Sequence, residues 1–406
     1  MKWATYTMQE LINEISMGPF GSDIKKSVYT NSGVPVLNGS NLQGFTLKEN
    51  TFGYVSEEKA DSLKKCNAHR GDIIVTHRGT LGQIVYIPNN SLFERYVISQ
   101  SQFRFNLKPE LARAEFIVYY FHTREGQHKI LSNASQVGVP ALARATTTFR
   151  QLEVKVPPLP VQDKIVGILS ALDSKIENNN KINANLEAQA EALFKSWFVD
   201  FTPFKDQPFV DSELGPIPQG WKVGKLGDIA LQSTEKVLTR NDVKVLSPIT
   251  TGKLVLSEEY FTKQVFSKSI RNYKIVKQGA FAYNPARVNI GSLGMNEFKF
   301  DGCVSPVYVV FECLKGYSFF FDLFRKTEFF KQAVISFAIG GVRQTLNYSD
   351  FALIDATIPP LNIVQSFNEI YHHLKKKISI NEEENQRLAA LRDTLLPKLM
   401  SGEIKL

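Results

Sequence analysis

VPPLPVQDKIVGILSALDSKIENNNKINANLEAQAEALFKSWF, from Val156 to Phe198, and IPPLNIVQSFNEIYHHLKKKISINEEENQRLAALRDTLLPKLM, from Ile358 to Met400, are two copies of one element. A shift of 202 residues superposes the second copy on the first and brings Pro157 onto Pro359. Each copy follows a longer segment of mixed composition, which we call head one and head two. The sequence therefore predicts two similar heads, each followed by a long helix.

Seam residues recur in both copies at alternating steps of four and three, which is the heptad spacing of a coiled coil. The first seam comprises Ile165, Leu169, Leu172, Ile176, Asn179, Asn183, Leu186, Ala190, Leu193 and Trp197. The second comprises Phe367, Tyr371, Leu374, Ile378, Asn381, Asn385, Leu388, Arg392, Leu395 and Leu399. We predict that the two helices, each of about 35 residues and about 50 Å long, pack on each other.

Both seams carry two asparagines near their midpoints, Asn179 and Asn183 in the first copy and Asn381 and Asn385 in the second. A buried asparagine fixes the register of a coiled coil because its amide demands a partner. Antiparallel packing would bring the asparagine pairs together and put one head at each end, about a pseudo-twofold axis. The alternative is that the seam opens to water at these positions.

The heads repeat more loosely than the helices. WATYTMQELINEIS at Trp3 matches WKVGKLGDIALQS at Trp221, and GDIIVTHRGTLG at Gly71 matches GAFAYNPARVNIGSLG at Gly279. Runs such as DIIVTH favour strands, and AEFIVYYFHTREGQHKIL favours a helix. We predict α/β (α+β) heads over residues 1–155 and 209–357, with a spacer helix and linker over 156–208 and a second spacer helix over 358–406. Loops that diverge on a repeated frame predict different recognition surfaces.

The composition indicates a folded protein of the cytoplasm. The chain has 406 residues, of which 43% are hydrophobic, so its cores can be substantial. It contains no run of roughly 18 apolar residues, and its first residues lack the apolar core of a signal peptide. Three scattered cysteines do not suggest a disulfide framework or a zinc site.

Positive charge is concentrated in the heads. Residues 1–150 hold 17 basic and 12 acidic side chains, and residues 209–351 hold 18 and 13, a net charge of +5 in each case. The two helical segments together carry no positive excess. This distribution is typical of two nucleic-acid-binding modules joined by a spacer, although +5 on a domain of this size is common.

Candidate DNA-binding side chains lie in polar loops that contain glycine or follow predicted strands. Arginine suits the major-groove acceptors of guanine, and asparagine or glutamine suits adenine. In head one the candidates are Thr76, His77, Arg78, Thr80, Gln136, Arg144 and Arg150, with Lys25, Lys26, Asn38 and Asn41 as second choices. In head two they are Tyr283, Asn284, Arg287, Arg343, Gln344 and Asn347. For each of these, a solvated or structural side chain is the alternative.

Several motifs resemble the specificity subunit of type I restriction-modification systems. LFKSWFVDFTPF (Leu193 to Phe204) and TLLPKLMSGEI (Thr394 to Ile404) look like the conserved regions of that family. The segments PPLPVQDKI, GPFGSDIKK, GVPVLNGSNL and GDIIVTHRGTLG are similar to the family as well. The resemblance covers essentially the whole chain, in the order head, helix, head, helix.

The resemblance implies a non-catalytic subunit of a prokaryotic, phage-defence complex. Each head would be a target recognition domain that reads one half of a bipartite site in double-stranded DNA. The two long conserved helices would set the gap and dock two methyltransferase subunits. Two restriction (translocase) subunits would complete the complex, and S-adenosylmethionine, ATP and Mg²⁺ would be used by the partner subunits, with no cofactor or metal in this chain.

The sequence offers little support for catalysis by this chain. YNPA at Tyr283 to Ala286 lacks the second proline and the aromatic residue of the adenine methyltransferase motif. We find no GxxxxGK[ST] loop for ATP, and His372 and His373 have no further ligands at metal spacing. Three alternatives stay open: the same fold in a methylation-only or other defence system, a two-headed protein scaffold that never binds DNA, and a self-contained modification enzyme.

Overall fold

The chain forms two compact units, Met1–Asn179 with Glu383–Leu406 and Asn180–Glu382, which we call unit one and unit two. The structure is a computed structural model and describes residues 3–132, 134–135, 138–261, 263–337 and 345–406. Each unit contains one head, the beginning of the long helix that follows it, and the end of the other long helix. The head and spacer boundaries given above stay a prediction, and each unit contains part of both long helices.

Head one is organised around a four-stranded antiparallel sheet among the described residues of unit one. Its strand order is Ile12–Met17, Gln102–Leu107, Ile73–Thr76, Ile84–Tyr86. The side chains of Phe103 and Phe105 pack with Phe149, at ring distances of 5.2 and 5.1 Å. This aromatic contact buries one face of the sheet against the helical part of the head.

The rest of head one covers that sheet. A second sheet has the strand order Tyr29–Thr30, Gly53–Val55, Val34–Val36, Arg95–Val97, Asn67–His69, in which the third and fourth strands are parallel. Two short ladders pair Ala4–Thr7 with Glu153–Val156 and Ala134–Ser135 with Ala141–Leu142. The α-helices are Met8–Leu11, Glu57–Ser62, Ala114–His122, Arg124–Leu131 and Ala145–Arg150.

Head two repeats this topology within unit two. Its described residues form a four-stranded antiparallel sheet in the order Ala230–Ser233, Val309–Cys313, Phe281–Tyr283, Leu293–Met295. The second sheet has the order Leu254–Leu256, Lys244–Pro248, Gly302–Val304, Lys274–Val276, and two short ladders pair Lys222–Lys225 with Asp355–Ile358 and Phe209–Val210 with Ile217–Pro218. The helices are Ser257–Tyr260, Ser318–Phe324, Glu328–Phe337 and Tyr348–Ala352. The predicted α/β heads in two copies are confirmed.

The two long helices are Leu159–Phe198 and Leu361–Met400, which we call the first and second long helix. Each has 40 residues, somewhat more than predicted, and each begins directly after its Pro-Pro pair. Every predicted seam residue is buried or half-buried, including Arg392. None of the described helices is both long and apolar enough to cross a membrane.

The helices run antiparallel in both units, as predicted. In unit one, Arg392 contacts Asp173 at 2.8 Å and Asn385 contacts Asn179 at 2.9 Å, so the numbering falls along one helix as it rises along the other. In unit two, Phe367 packs on Trp197 with ring centroids 5.9 Å apart. Arg392 can occupy a seam position because its guanidinium pairs with Asp173 and lies over the ring of Phe45.

The asparagines meet across the helix pair. In unit one, the Asn179 amide donates to Asn385 Oδ1 at 2.9 Å and to Glu384 Oε2 at 2.7 Å. In unit two, the Asn381 amide donates to Asn183 Oδ1 at 2.7 Å. Asn179 and Asn381 are only 1% and 2% exposed, so these contacts satisfy amides that the seam would otherwise bury at a cost. Asn179 and Asn381 are therefore paired and buried, and the seam does not open to water at these positions.

Candidate nucleic-acid interface

Several loops of unit one meet at one end of the four-stranded sheet, where strand Ile73–Thr76 ends and strand Gln102–Leu107 begins. Backbone hydrogen bonds link them in series. The amide of Gly18 donates to Gln102 O at 2.8 Å, and the amide of His77 donates to Ser101 O at 2.9 Å. The amide of Leu142 donates to His77 O at 2.8 Å, so four separate segments of the sequence form one edge, which we call edge one.

Two exposed arginines, Arg78 and Arg144, lie next to the hydrogen-bonded segments of edge one. Lys25 and Lys26 are also exposed and lie on the connection that follows Gly18. Gly79, directly after Arg78, has a φ of 92° and donates its amide to Pro140 O at 2.9 Å. Because glycine adopts this left-handed conformation without strain, the loop can turn sharply beside Arg78 while staying bonded to the neighbouring segment.

Unit two forms the corresponding edge at the same end of its matching sheet. The amide of Asn284 donates to Ser292 O at 3.1 Å, just as the amide of Thr76 donates to Gln83 O at 3.0 Å in unit one. The amide of Leu346 then donates to Pro285 O at 3.1 Å. We call this surface edge two.

Comparison with known proteins finds similarity to the family that the sequence motifs resemble. Residues 2–188 match the family model for the type I restriction modification DNA specificity domain. The MjaIX specificity subunit of a type I restriction enzyme from Methanocaldococcus jannaschii is 28% identical over 367 residues, covering 86% of this chain and 81% of that protein. The HindI specificity subunit of Haemophilus influenzae is 22% identical, with 99% of both chains covered.

Along nearly its whole length the chain is similar to type I restriction-modification specificity subunits, and residues 2–188 match their DNA specificity domain. Its fold agrees with the crystal structure of the S subunit from M. genitalium, at a TM-score of 0.57 and 16% identity, with 98% of this chain and 96% of that chain covered. The family is one of DNA-recognition subunits rather than enzymes, as the sequence motifs indicated.

The candidates of head one differ in their exposure. Lys25, Lys26, Asn38, Arg78, Thr80 and Arg144 are exposed. Arg150 is half-buried, and its guanidinium donates to Gln9 Oε1 at 2.7 Å. Gln136 lies outside the described residues.

Two other candidates of head one serve the fold. Asn41 is fully buried, and its amide donates to the carbonyls of Lys48 and Thr51. Thr76 is 3% exposed, and its hydroxyl donates to the Gln83 side chain. Neither side chain has the freedom to read a base edge, so we do not retain them as DNA contacts.

His77 is half-buried at edge one, and burial lowers the pKa of its ring, with a smaller contribution from Arg78. The ring is therefore neutral at neutral pH. His77 could contribute a hydrogen bond to DNA but not a charge, which leaves Arg78 as the cation of this loop.

The candidates of head two divide in a similar way. Arg287 and Asn347 are exposed, and Asn284 is half-buried with its Oδ1 accepting from the amide of Ala286 at 3.1 Å. Tyr283 is fully buried in the sheet, and burial raises the pKa of its hydroxyl, so it belongs to the core. Arg343 and Gln344 lie outside the described residues.

Sequence reasoning missed one residue of edge one. Phe20 follows strand Ile12–Met17 and is 82% exposed. The signal was present in the sequence, because GPFGSDIKK places an aromatic ring between two glycines and ahead of two lysines.

Proposed function

We propose that this chain reads a bipartite DNA site, with edge one on one half-site and edge two on the other. The observation that carries the proposal is the repeated edge. In both units, loops distant in sequence are hydrogen-bonded at the same end of a matching sheet, and exposed arginines project from them. Exposed cations supply phosphate contacts, and arginine and asparagine side chains on a fixed frame can supply base contacts.

The difference between the edges supports two unlike half-sites. Edge one carries Arg78 and Arg144, with Lys25 and Lys26 on the connection that follows Gly18, whereas the described part of edge two presents Arg287 and Asn347. Because base readout depends on the types and positions of such side chains, two different sets on one frame favour two different sequences.

We propose that the two long helices set the gap between the half-sites. An antiparallel pair with hydrogen-bonded asparagines has one favoured register, so its length can act as a fixed spacer.

The helices are also the proposed docking sites for two methyltransferase subunits. A largely apolar cavity of about 510 Å³ in unit two lies beside the end of the first long helix and is lined by Phe198, Val199 and Phe324, among others. Phe329 also lines it and is 47% exposed, and Lys195 and Lys326 lie at the same cavity. An apolar cavity with charged groups suits an anchoring side chain from a partner protein.

Catalysis would belong to the partners in this proposal. Two methyltransferase subunits would bind S-adenosylmethionine and modify adenine, and two restriction subunits would use ATP and Mg²⁺. The contribution of this chain is to choose the DNA site at which those activities are applied.

Co-expression of this chain with the methyltransferase encoded beside it tests the proposal. N6-methyladenine would be mapped across the genome by single-molecule sequencing. We expect one split motif, with two short specific blocks around a gap of fixed length. A contiguous motif would mean that one head alone reads DNA, and a folded complex without salt-dependent DNA binding would favour a protein scaffold.

Arg78→Ala should weaken methylation of cognate DNA by about fivefold to a hundredfold, because a lost arginine contact to a base costs about 1–3 kcal/mol. Arg70→Ala is the matched control, since Arg70 precedes the opposite end of the same strand and pairs there with Glu94 and with Ser91 O. Methylation kinetics would be measured for both variants. Equal kinetics for Arg78→Ala and the unmodified chain would show that this loop does not read DNA.

A further inference from the structure

Phe20 is an exposed aromatic side chain on a closely held loop. Its exposed fraction of 82% is the highest among the large apolar side chains of the described residues. Single exposed apolar residues are ordinary on protein surfaces and by themselves indicate nothing. What distinguishes Phe20 is the backbone that carries it and the surface to which it belongs.

The loop around Phe20 is fixed on both sides. The Gly18 amide bonds to Gln102 O, and a Cβ atom at position 18 would collide with the backbone oxygen of Ser99. Pro19 is buried, and the Asp23 amide donates to Phe20 O at 2.9 Å. The ring of Phe20 is therefore held out into solvent by a constrained turn, not by a freely moving chain.

The same loop belongs to edge one. Gly18 is bonded to Gln102, which begins the strand beside the one that ends at Thr76. Lys25 and Lys26 follow on the same connection and are exposed. An aromatic ring and two exposed lysines on one connection supply the two kinds of group that proteins use to bind a base and a backbone phosphate.

Head two has an apolar side chain in the corresponding loop. Leu238 follows strand Ala230–Ser233, the counterpart of Ile12–Met17, and is 57% exposed. Its φ of 52° is a left-handed conformation that a leucine rarely adopts. Its amide is held by Arg271 O at 2.9 Å, so this loop too presents an apolar side chain from a fixed backbone.

We propose that Phe20 is a DNA-contacting residue that inserts against a base step of the first half-site. Apolar side chains of this kind enter a groove, partly unstack a base step and kink the DNA, and the bent DNA then contacts more of the protein surface. The ligand of this site is a stacked base pair in double-stranded DNA. The inference rests on the proposed function, since it assumes that edge one faces DNA, and it adds a residue that senses how easily a particular step unstacks.

The test uses the chain co-purified with its methyltransferase and a duplex that carries 2-aminopurine within the first half-site. The methylated adenine is left unlabelled and S-adenosylmethionine is omitted, so that base flipping by the partner does not contribute. We expect fluorescence at one position to rise on binding, and Phe20→Ala to reduce that rise several-fold. Phe20→Leu should retain part of it, because leucine is also an apolar wedge.

Leu92→Ala is the matched control, because Leu92 is 71% exposed in the same unit but lies beyond the far end of strand Ile84–Tyr86. It should behave like the unmodified chain.

An unchanged fluorescence rise in Phe20→Ala would overturn the inference while leaving the proposed function in place. A loss of methyltransferase binding by Phe20→Ala without DNA would instead make Phe20 a protein contact. Absence of salt-dependent DNA binding by the unmodified complex would defeat the proposed function itself.

Discussion

At the scale of single residues, the buried side chain of His122 makes the stability of unit one depend on pH. Its ring packs on Phe45 at 4.4 Å, and its Nε2 lies 2.9 Å from Ile84 O. Burial lowers the pKa of the ring, and Arg392 lowers it further, while the carbonyl of Ile84 and the carboxylate of Asp173 act in the opposite direction. The neutral ring is therefore the form that the fold accommodates.

We predict that unit one loses stability as the pH falls below about 6.5, the pKa of histidine in an unfolded chain. The pKa of His122 is lower in the folded protein, so the unfolded chain binds the proton first as the pH falls. The free energy of unfolding therefore decreases between about pH 6.5 and the folded pKa, by at most about 1.4 kcal/mol per pH unit. Hydrogen exchange of helix Ala114–His122, corrected for intrinsic rates, would measure this loss.

His122→Gln should reduce that loss, because the amide can still donate to Ile84 O but does not titrate in this range. Some pH dependence should persist, since His77 in the same unit also has a pKa lowered by burial. An equal pH dependence in the variant and the unmodified chain would show that His122 protonates without penalty.

Residue positions at strand ends and in tight turns were the hardest to interpret from sequence. Thr76 and Tyr283 end their strands and Asn41 ends a helical turn, and all three were plausible DNA contacts by residue type, yet all three are buried. Side chains on successive strand residues point to opposite faces, and sequence alone does not say which face a neighbouring loop covers. Arg78, which lies only two residues beyond Thr76, is exposed because the strand has ended.

At the scale of elements, the contact between Asn179 and the second long helix is specific in its chemistry. The Asn179 amide donates to two acceptors, Glu384 and Asn385, and Lys175 lies 3.3 Å from the same Glu384 carboxylate. The side chain at position 179 therefore has to donate hydrogen bonds. A side chain that only accepts them would face the carboxylate of Glu384.

We predict that Asn179→Asp destabilises unit one by about 2–4 kcal/mol, because it buries a charge beside Glu384 and loses both hydrogen bonds. This corresponds to a fall of roughly 5–15 °C in melting temperature for a unit of this size. Asn178→Asp makes the same change at an exposed position one residue earlier and should shift melting by no more than about 2 °C. Calorimetry of the three proteins would compare them, and equal melting of the two variants would contradict a register contact at Asn179.

The long helices were predictable because their pattern extends over many residues. Heptad spacing, paired asparagines and proline pairs all indicated the same antiparallel arrangement. Even Arg392, an unexpected residue for a seam, occupies the predicted position because Asp173 and Phe45 accommodate it. The strand order of the heads could not be derived in this way, since it depends on pairings such as Phe103 with Val75 that are distant in sequence.

At the scale of the whole molecule, the chain uses one architecture twice with different loops. Both units place an antiparallel four-stranded sheet beside a segment of the long helix pair. The frame is set by buried aromatic contacts such as Phe103 with Phe149 and Phe311 with Phe351. Because those side chains are buried in the cores and the loops at the edges are exposed, loop sequences can differ between the units while the frame stays the same.

We predict that the gap between half-sites follows helix length. One heptad inserted into each long helix, between Asn179 and Asn183 in the first and between Asn381 and Asn385 in the second, keeps the seam in phase and keeps both asparagine contacts. Seven residues add about 10 Å at 1.5 Å per residue, which is about three base pairs at 3.4 Å each. Single-molecule sequencing should therefore report the same two specific blocks with a gap longer by about three base pairs.

The same insertion in the first long helix alone is the control, because it puts the seven added residues opposite no partner. Asn179 and Asn183 could then not both keep Asn385 and Asn381, so we expect an unstable complex and little methylation. If the doubly lengthened protein methylates the original motif, the helices do not set the gap. If it methylates a motif in which one block has changed, the heads do not read DNA independently of the spacer. Only a change confined to the gap agrees with a fixed spacer between two separate readers.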